Sequence, residues 1–141
     1  LVASAARTAT GNSGYIVVPA DWVGGKFRLE ITASSGTSPT LDVAISTTVD
    51  DEVLTDTVCW RFAQATDGTD RELTTFWASG MDGSTDLDAE RAGLALTGGA
   101  LSLPTPISDK IKITWTIGGT SPSFTFLVYF TPWMYIGKAG R

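Results

Sequence analysis

The chain has 141 residues, 43% of them hydrophobic and 18% charged, with a net charge of −5, no histidine and a single cysteine, Cys59. That length predicts one domain, with a core large enough to need neither disulfide nor metal. The missing imidazole excludes Ser-His-Asp and Cys-His catalysis and His-based zinc sites, one thiol excludes an intramolecular disulfide, and the acidic balance argues against a nucleic-acid surface.

Residues 1–13 (LVASAARTATGNS) are small and weakly patterned. They predict an extended N-terminal arm, ordered only where something holds it. A short strand is expected at 15–18, stopped by Pro19. Residues 26–32 then alternate cleanly, with Lys26, Arg28, Glu30 and Thr32 on one face and Phe27, Leu29 and Ile31 on the other. That period of two marks a half-buried strand. After the turn SSGTSP, the residues Leu41, Val43 and Ile45 continue as a second strand, with Asp42 and Ser46 outward.

Residues 48–56 carry four acids and read as a solvated loop. Val58, Trp60 and Phe62 alternate with Cys59 and Arg61 as a further strand, DGTD at 67–70 is a turn, and 73–77 is a strand. Residues 81–93 hold the helical hints of the chain, Thr85 and Asp88 loosely resembling a capping box. A short strand is expected within 94–103. Ile111, Ile113, Trp115 and Ile117 define another alternation, and Phe124, Phe126, Val128 and Phe130 a last long strand ended by Pro132. The tail TPWMYIGKAGR follows. Seven to nine strands punctuated by turns predict an all-β chain, an antiparallel β-sandwich of jelly-roll-like form. The expected organisation is an arm at 1–13, one domain at 14–131 and a C-terminal tail at 132–141.

The chain also repeats itself. Residues 26–45 read KFRLEITASSGTSPTLDVAI and residues 110–128 read KIKITWTIGGTSPSFTFLV. Each is a strand–GTSP–strand unit, most simply a β-hairpin, and the two are expected at equivalent positions in the fold. Gly36 and Gly119 permit positive φ, and Pro39 and Pro122 fix φ after them. GTSP lacks the lysine and the spacing of a phosphate loop.

Candidate chemistry is sparse. Asp50, Asp51, Glu52 and Asp56 share one loop and Asp82, Asp86, Asp88 and Glu90 another, but neither matches the twelve-residue EF-hand pattern, and solvated loops account for both. Paired carboxylates of a glycosidase need a cleft that these loops do not announce. Trp22, Trp60, Trp77, Trp115 and Trp133 could stack on sugars, but most sit at strand positions where packing explains them. Cys59 has no partner thiol and no base, and is expected to be a small packed residue. No cofactor, metal or catalytic group is therefore expected. The two ends carry more interest: Arg7 is the lone charge of the arm, and Trp133, Met134, Tyr135, Lys138 and Arg141 form an aromatic and basic tail of the residue types that anchor interfaces.

The arm LVASAARTATGNSG, the segments GTSPTLDVAI and CWRFAQAT, and the late stretch KIKITWTIGGTSPSFTF together resemble small virion proteins of tailed bacteriophages, specifically β-sandwich capsid decoration or cement proteins. The resemblance covers most of the chain, apart from 48–56 and 81–93. It implies a structural virion protein on the outer surface of the capsid, made in the host bacterial cytoplasm, that bridges subunits of the major capsid protein and self-associates as a dimer or trimer. It implies no enzyme activity. The expected partner contacts are Arg7 with the arm and Trp133, Met134, Tyr135, Lys138 and Arg141 of the tail. No nucleic-acid or membrane partner is expected: no apolar run approaches the roughly 20 residues that span a bilayer, and no signal peptide is expected. The alternative is a phage tail or baseplate module, or a carbohydrate-binding β-sandwich, contacting the host surface.

Overall fold

The computed structural model describes residues 1–19, 22–47, 57–68, 71–78, 101–102 and 110–134. Among them the chain is all-β and antiparallel, with no helix. Seven strands follow one another: β1 (Val2–Arg7), β2 (Gly11–Val17), β3 (Trp22–Thr47), β4 (Thr57–Arg61), β5 (Arg71–Ala78), β6 (Leu101–Ser102) and β7 (Lys110–Met134). The acidic stretch 48–56, the helical hints at 81–93 and the tail beyond Met134 lie outside the described residues. Of the strand expected within 94–103, only β6 is described.

Two strands organise everything else. β3 and β7 contain the two GTSP copies, and they pair with each other from Trp22↔Met134 to Thr47↔Ile111. The strands flanking each GTSP do not pair as a hairpin, which corrects the simplest reading of the repeat. A turn motif permits a hairpin, but each flank finds its ladder in the other copy. The two copies do hold equivalent places. Thr37 pairs with Thr120 at the centre of the ladder, and the copies run antiparallel away from that pair. Their backbones match: φ is 111° at Gly36 and 114° at Gly119, 50° at Ser38 and 48° at Ser121.

At this centre the ribbon turns sharply. An extended strand would hold Trp115 and Phe126, eleven residues apart, at about 36 Å. Their ring centroids lie 5.7 Å apart, edge to face. The ribbon therefore folds back, and its two limbs carry different neighbours. On one limb β1 lies along residues 124–128 of β7, and β5 along residues 24–31 of β3. On the other, β2 lies along residues 110–115 of β7 and β4 along residues 44–47 of β3, with β6 beyond β4. The link Leu41↔Ala65 extends this second limb, with hydrogen bonds of 2.8 and 2.9 Å in both directions.

The inward residues of both limbs meet in one core. Phe27, Leu29, Ile31, Leu41, Val43, Ile45, Ile111, Ile113, Phe124, Phe126 and Val128 are all buried there, joined by Val2, Phe62 and Ala65. The period-two pattern explains this set directly, since successive side chains of a strand point to opposite faces. Outside the core, Arg28 lies across the ladder from Tyr129 with its guanidinium 5.2 Å from the ring, and 3.7 Å from Glu30 on its own strand.

Two local expectations are corrected. Ser46 is buried rather than outward, while Thr47 falls on the inward face with Leu41, Val43 and Ile45, since β3 keeps an unbroken register with β7 from Leu41 to Thr47. Thr47 keeps its hydroxyl satisfied there by donating to the Lys110 carbonyl at 3.2 Å. The last strand does not end at Pro132, which pairs with Gly25 and is followed by Trp133 and Met134 within β7. Residues 1–13, expected as an extended arm, form β1 and the first part of β2, paired along the edge of β7.

Candidate interface

The seventeen residues from the start through β2 act as a strap along one edge of β7. The ladder follows β7 past its corner, from Val2↔Val128 to Val17↔Lys110. Between the two strands, residues 8–10 span a stretch in which β7 uses many more residues, so the strap cuts across the bend. Side-chain hydroxyls replace main-chain partners where the ladder breaks. The Ile117 amide donates to Thr10 Oγ1 at 3.2 Å, and the Ile113 amide donates to Ser13 Oγ at 3.0 Å. Gly14, with φ of 72°, and Asn12, whose Oδ1 accepts from the Gly14 amide at 2.9 Å, form the bulge that presents Ser13 in this way.

Arg7 fastens the first half of the strap. Its Nη1 donates to the carbonyls of Ala5 and Phe126, both at 2.9 Å, and its Nη2 donates to the carbonyl of Ala3 at 2.7 Å. The guanidinium lies 4.4 Å from the Phe126 ring centroid and 5.0 Å from that of Trp115. The planar fork of arginine suits both tasks, donating in plane while stacking on ring faces, and each ring contact contributes about 0.5–2 kcal/mol. Burial lowers the Arg7 pKa from its ordinary value. Trp115 joins the same knot: its Nε1–H donates to the Ala9 carbonyl at 3.1 Å, and its ring closes over Gly11, where an added Cβ would come within 2.9 Å of Cζ2.

The residues expected at a partner interface are thus not gathered in one place. Arg7 sits opposite Phe124, and Trp133 lies nine residues further along β7, about 30 Å away on an extended strand. Trp133 and Met134 pair through their backbones with Gly24 and Trp22. Tyr135, Lys138 and Arg141 lie outside the described residues. Arg7 makes its contacts within the chain, and its partners Trp115 and Phe126 were assigned by alternation to the core alone. The one sequence signal for this knot is that Arg7 is the sole charge among the first twenty residues.

The strap's own surface is mostly exposed. Val17 is 69% exposed, Leu1 39% and Tyr15 37%, while Lys112 places its ammonium 4.7 Å from the Tyr15 ring. Among the described residues, β1 and β2 pair with β7 and with no other strand. No group of three or more His, Cys, Asp or Glu side chains able to hold a metal occurs among the described residues. Both acidic loops, the one with Asp50, Asp51, Glu52 and Asp56 and the one with Asp82, Asp86, Asp88 and Glu90, lie outside them. Comparison with family models, with curated proteins and with solved structures finds no match to this chain.

Proposed function

We propose that this chain is a non-enzymatic structural protein of a tailed-phage virion, a decoration protein that cements the shell by bridging major capsid protein subunits from outside. The observation that carries this reading is the strap. Its first strand, Val2–Arg7, has small uncharged side chains at Ala3, Ser4, Ala5 and Ala6, and no strand other than β7 pairs with it among the described residues. Such an edge is a ready site for a neighbouring chain.

The finer fold belongs to the same proposal. The folded ribbon and its two sets of flanking strands support a two-layer antiparallel sandwich of jelly-roll-like form. One core between the limbs suits a rigid module that must survive internal pressure. Self-association as a dimer or trimer, contacts by Trp133, Met134 and residues 135–141, and placement on the outer capsid surface follow from the same reading. The −5 charge fits a position away from packaged DNA. Weak contacts of this kind gain strength through repetition over a shell.

The test is made on capsids assembled with and without the protein. Capsids lacking it should lose DNA at lower temperature and under milder osmotic shock; equal tolerance would refute cementing. A chain lacking residues 135–141 should keep the folded domain yet fail to occupy capsids, and normal occupancy would remove the tail from the interface. Specific binding of the isolated protein to host glycans, without capsid stabilisation, would favour the host-surface alternative.

A further inference from the structure

We propose that β1 is a detachable strand latched by Arg7, and that the β7 edge it vacates, residues 124–128, accepts the β1 of a second copy of this chain. The inference is independent of the virion reading.

Little of β1 is buried. Val2 alone enters the core, Arg7 is partly covered, and Ala3, Ser4, Ala5 and Ala6 are exposed. A segment with few buried apolar contacts opens locally at low free energy, well before the fold as a whole. The ladder is also weak at both of its ends. A register shift interrupts it between Val2 and Ala5, and the link to β2 at residues 8–10 lies outside either strand. β2 has its own anchors in Ser13 and in the pairs from Tyr15↔Lys112 to Val17↔Lys110, so β1 can leave without it.

The hold on β1 is concentrated in one side chain. Two of the three Arg7 hydrogen bonds go to carbonyls of β1 itself, at Ala3 and Ala5, and the third crosses to Phe126. The guanidinium thus folds β1 around itself and docks the whole on the Phe126 and Trp115 rings. Losing that contact leaves β1 held by its ladder with β7 and by Val2.

When β1 leaves, the outer edge of β7 at 124–128 loses its ladder partner, while Phe124, Phe126 and Val128 still face the core. An open edge next to a packed core recruits a strand. The best fit is an identical strand, since it reproduces in trans the same register, the same Val2 burial and the same arginine latch without any new surface. Exchange of an identical element is a low-cost route to association. The chain's own β1 competes at an effective concentration of about millimolar, so exchange appears at high local concentration.

Hydrogen exchange followed by mass spectrometry tests release. Amides of residues 2–7 should exchange faster than those of 41–45 and with little dependence on low denaturant. Arg7→Ala should speed them by about tenfold to a hundredfold, the loss expected for two cation–π contacts and charge-assisted hydrogen bonds, with 41–45 unchanged. Arg7→Lys, which keeps the charge but loses the fork, should fall between. If residues 2–7 exchange only with the core, or do not respond to Arg7→Ala, the latch is refuted. For the occupant, heavy-isotope-labelled and unlabelled chains carrying Cys59→Ser, Ala6→Cys and Thr125→Cys are mixed at high concentration and oxidised; Ala6 and Thr125 are cross-strand partners. A disulfide between positions 6 and 125 that joins a labelled to an unlabelled chain supports exchange. Linkage within single chains alone, at every concentration, overturns it.

Discussion

Gly36→Ala and Gly119→Ala are each expected to destabilise the protein by about 3 kcal/mol or more, read as a drop in denaturation midpoint. Both positions have a φ well beyond the left-handed helical well, at 111° and 114°. A Cβ at Gly36 would lie 2.8 Å from the Ser121 carbonyl oxygen and 2.9 Å from Pro122 Cα; at Gly119 it would lie 2.7 Å from the Ser38 carbonyl oxygen and 3.0 Å from Pro39 Cα. The obstacles are backbone atoms of the other GTSP copy, so neither can swing aside as a side-chain end would. Because each glycine is closed by the other's turn, the double variant should cost much less than the sum of the two. Additive costs would show that the corners are independent. Gly14 gives the contrast: its φ is also positive, at 72°, but no atom lies within 4 Å of a Cβ there. Gly14→Ala should therefore cost only about 1–2 kcal/mol, the strain of a left-handed residue.

The same corner shows where sequence reasoning reaches and where it stops. The inward faces at 27–31, 41–45, 111–113 and 124–128 were legible because burial on one side forces a period of two, whatever the partner strand. The equivalence of the two copies was legible too, since Gly-Thr-Ser-Pro constrains φ in the same way at both. Which strand each limb pairs with was not legible. A hairpin and an intercopy ladder place identical demands on local turn chemistry, and long-range packing decides between them. β1 was unreadable for a different reason: with Val2 its one buried side chain, it has no alternation to detect. Pro132 failed because the strand tolerates a missing N–H beside Gly25, and Ser46 is buried although alternation places it on the outward face. Of the candidate interface, the lone charge of Arg7 was visible, but its docking was not, because Trp115 and Phe126 come together only when β7 folds back on itself.

That meeting point makes Phe126→Ala the second large effect, at about 3–5 kcal/mol, the usual cost of emptying a buried phenylalanine site. Against a total stability of about 5–15 kcal/mol for a domain, the variant should be folded marginally or not at all. Phe126 is fully buried, and its ring meets both the edge of Trp115 and the guanidinium of Arg7. Two of its functions can be separated. Phe126→Leu keeps most of the apolar volume but removes the π face, so it should cost about 1–2 kcal/mol while loosening β1 less than Arg7→Ala does, since the Trp115 ring and the carbonyl bonds of Arg7 remain. A double-mutant cycle between Arg7→Ala and Phe126→Leu isolates the contact itself, and should return a coupling of about 1 kcal/mol. If Phe126→Ala costs no more than Thr131→Ala, an exposed change on the same strand, the two limbs of β7 do not share a core. If the cycle returns no coupling, the Phe126 ring does not hold Arg7, and that ring contact is a consequence of the fold rather than a cause of it.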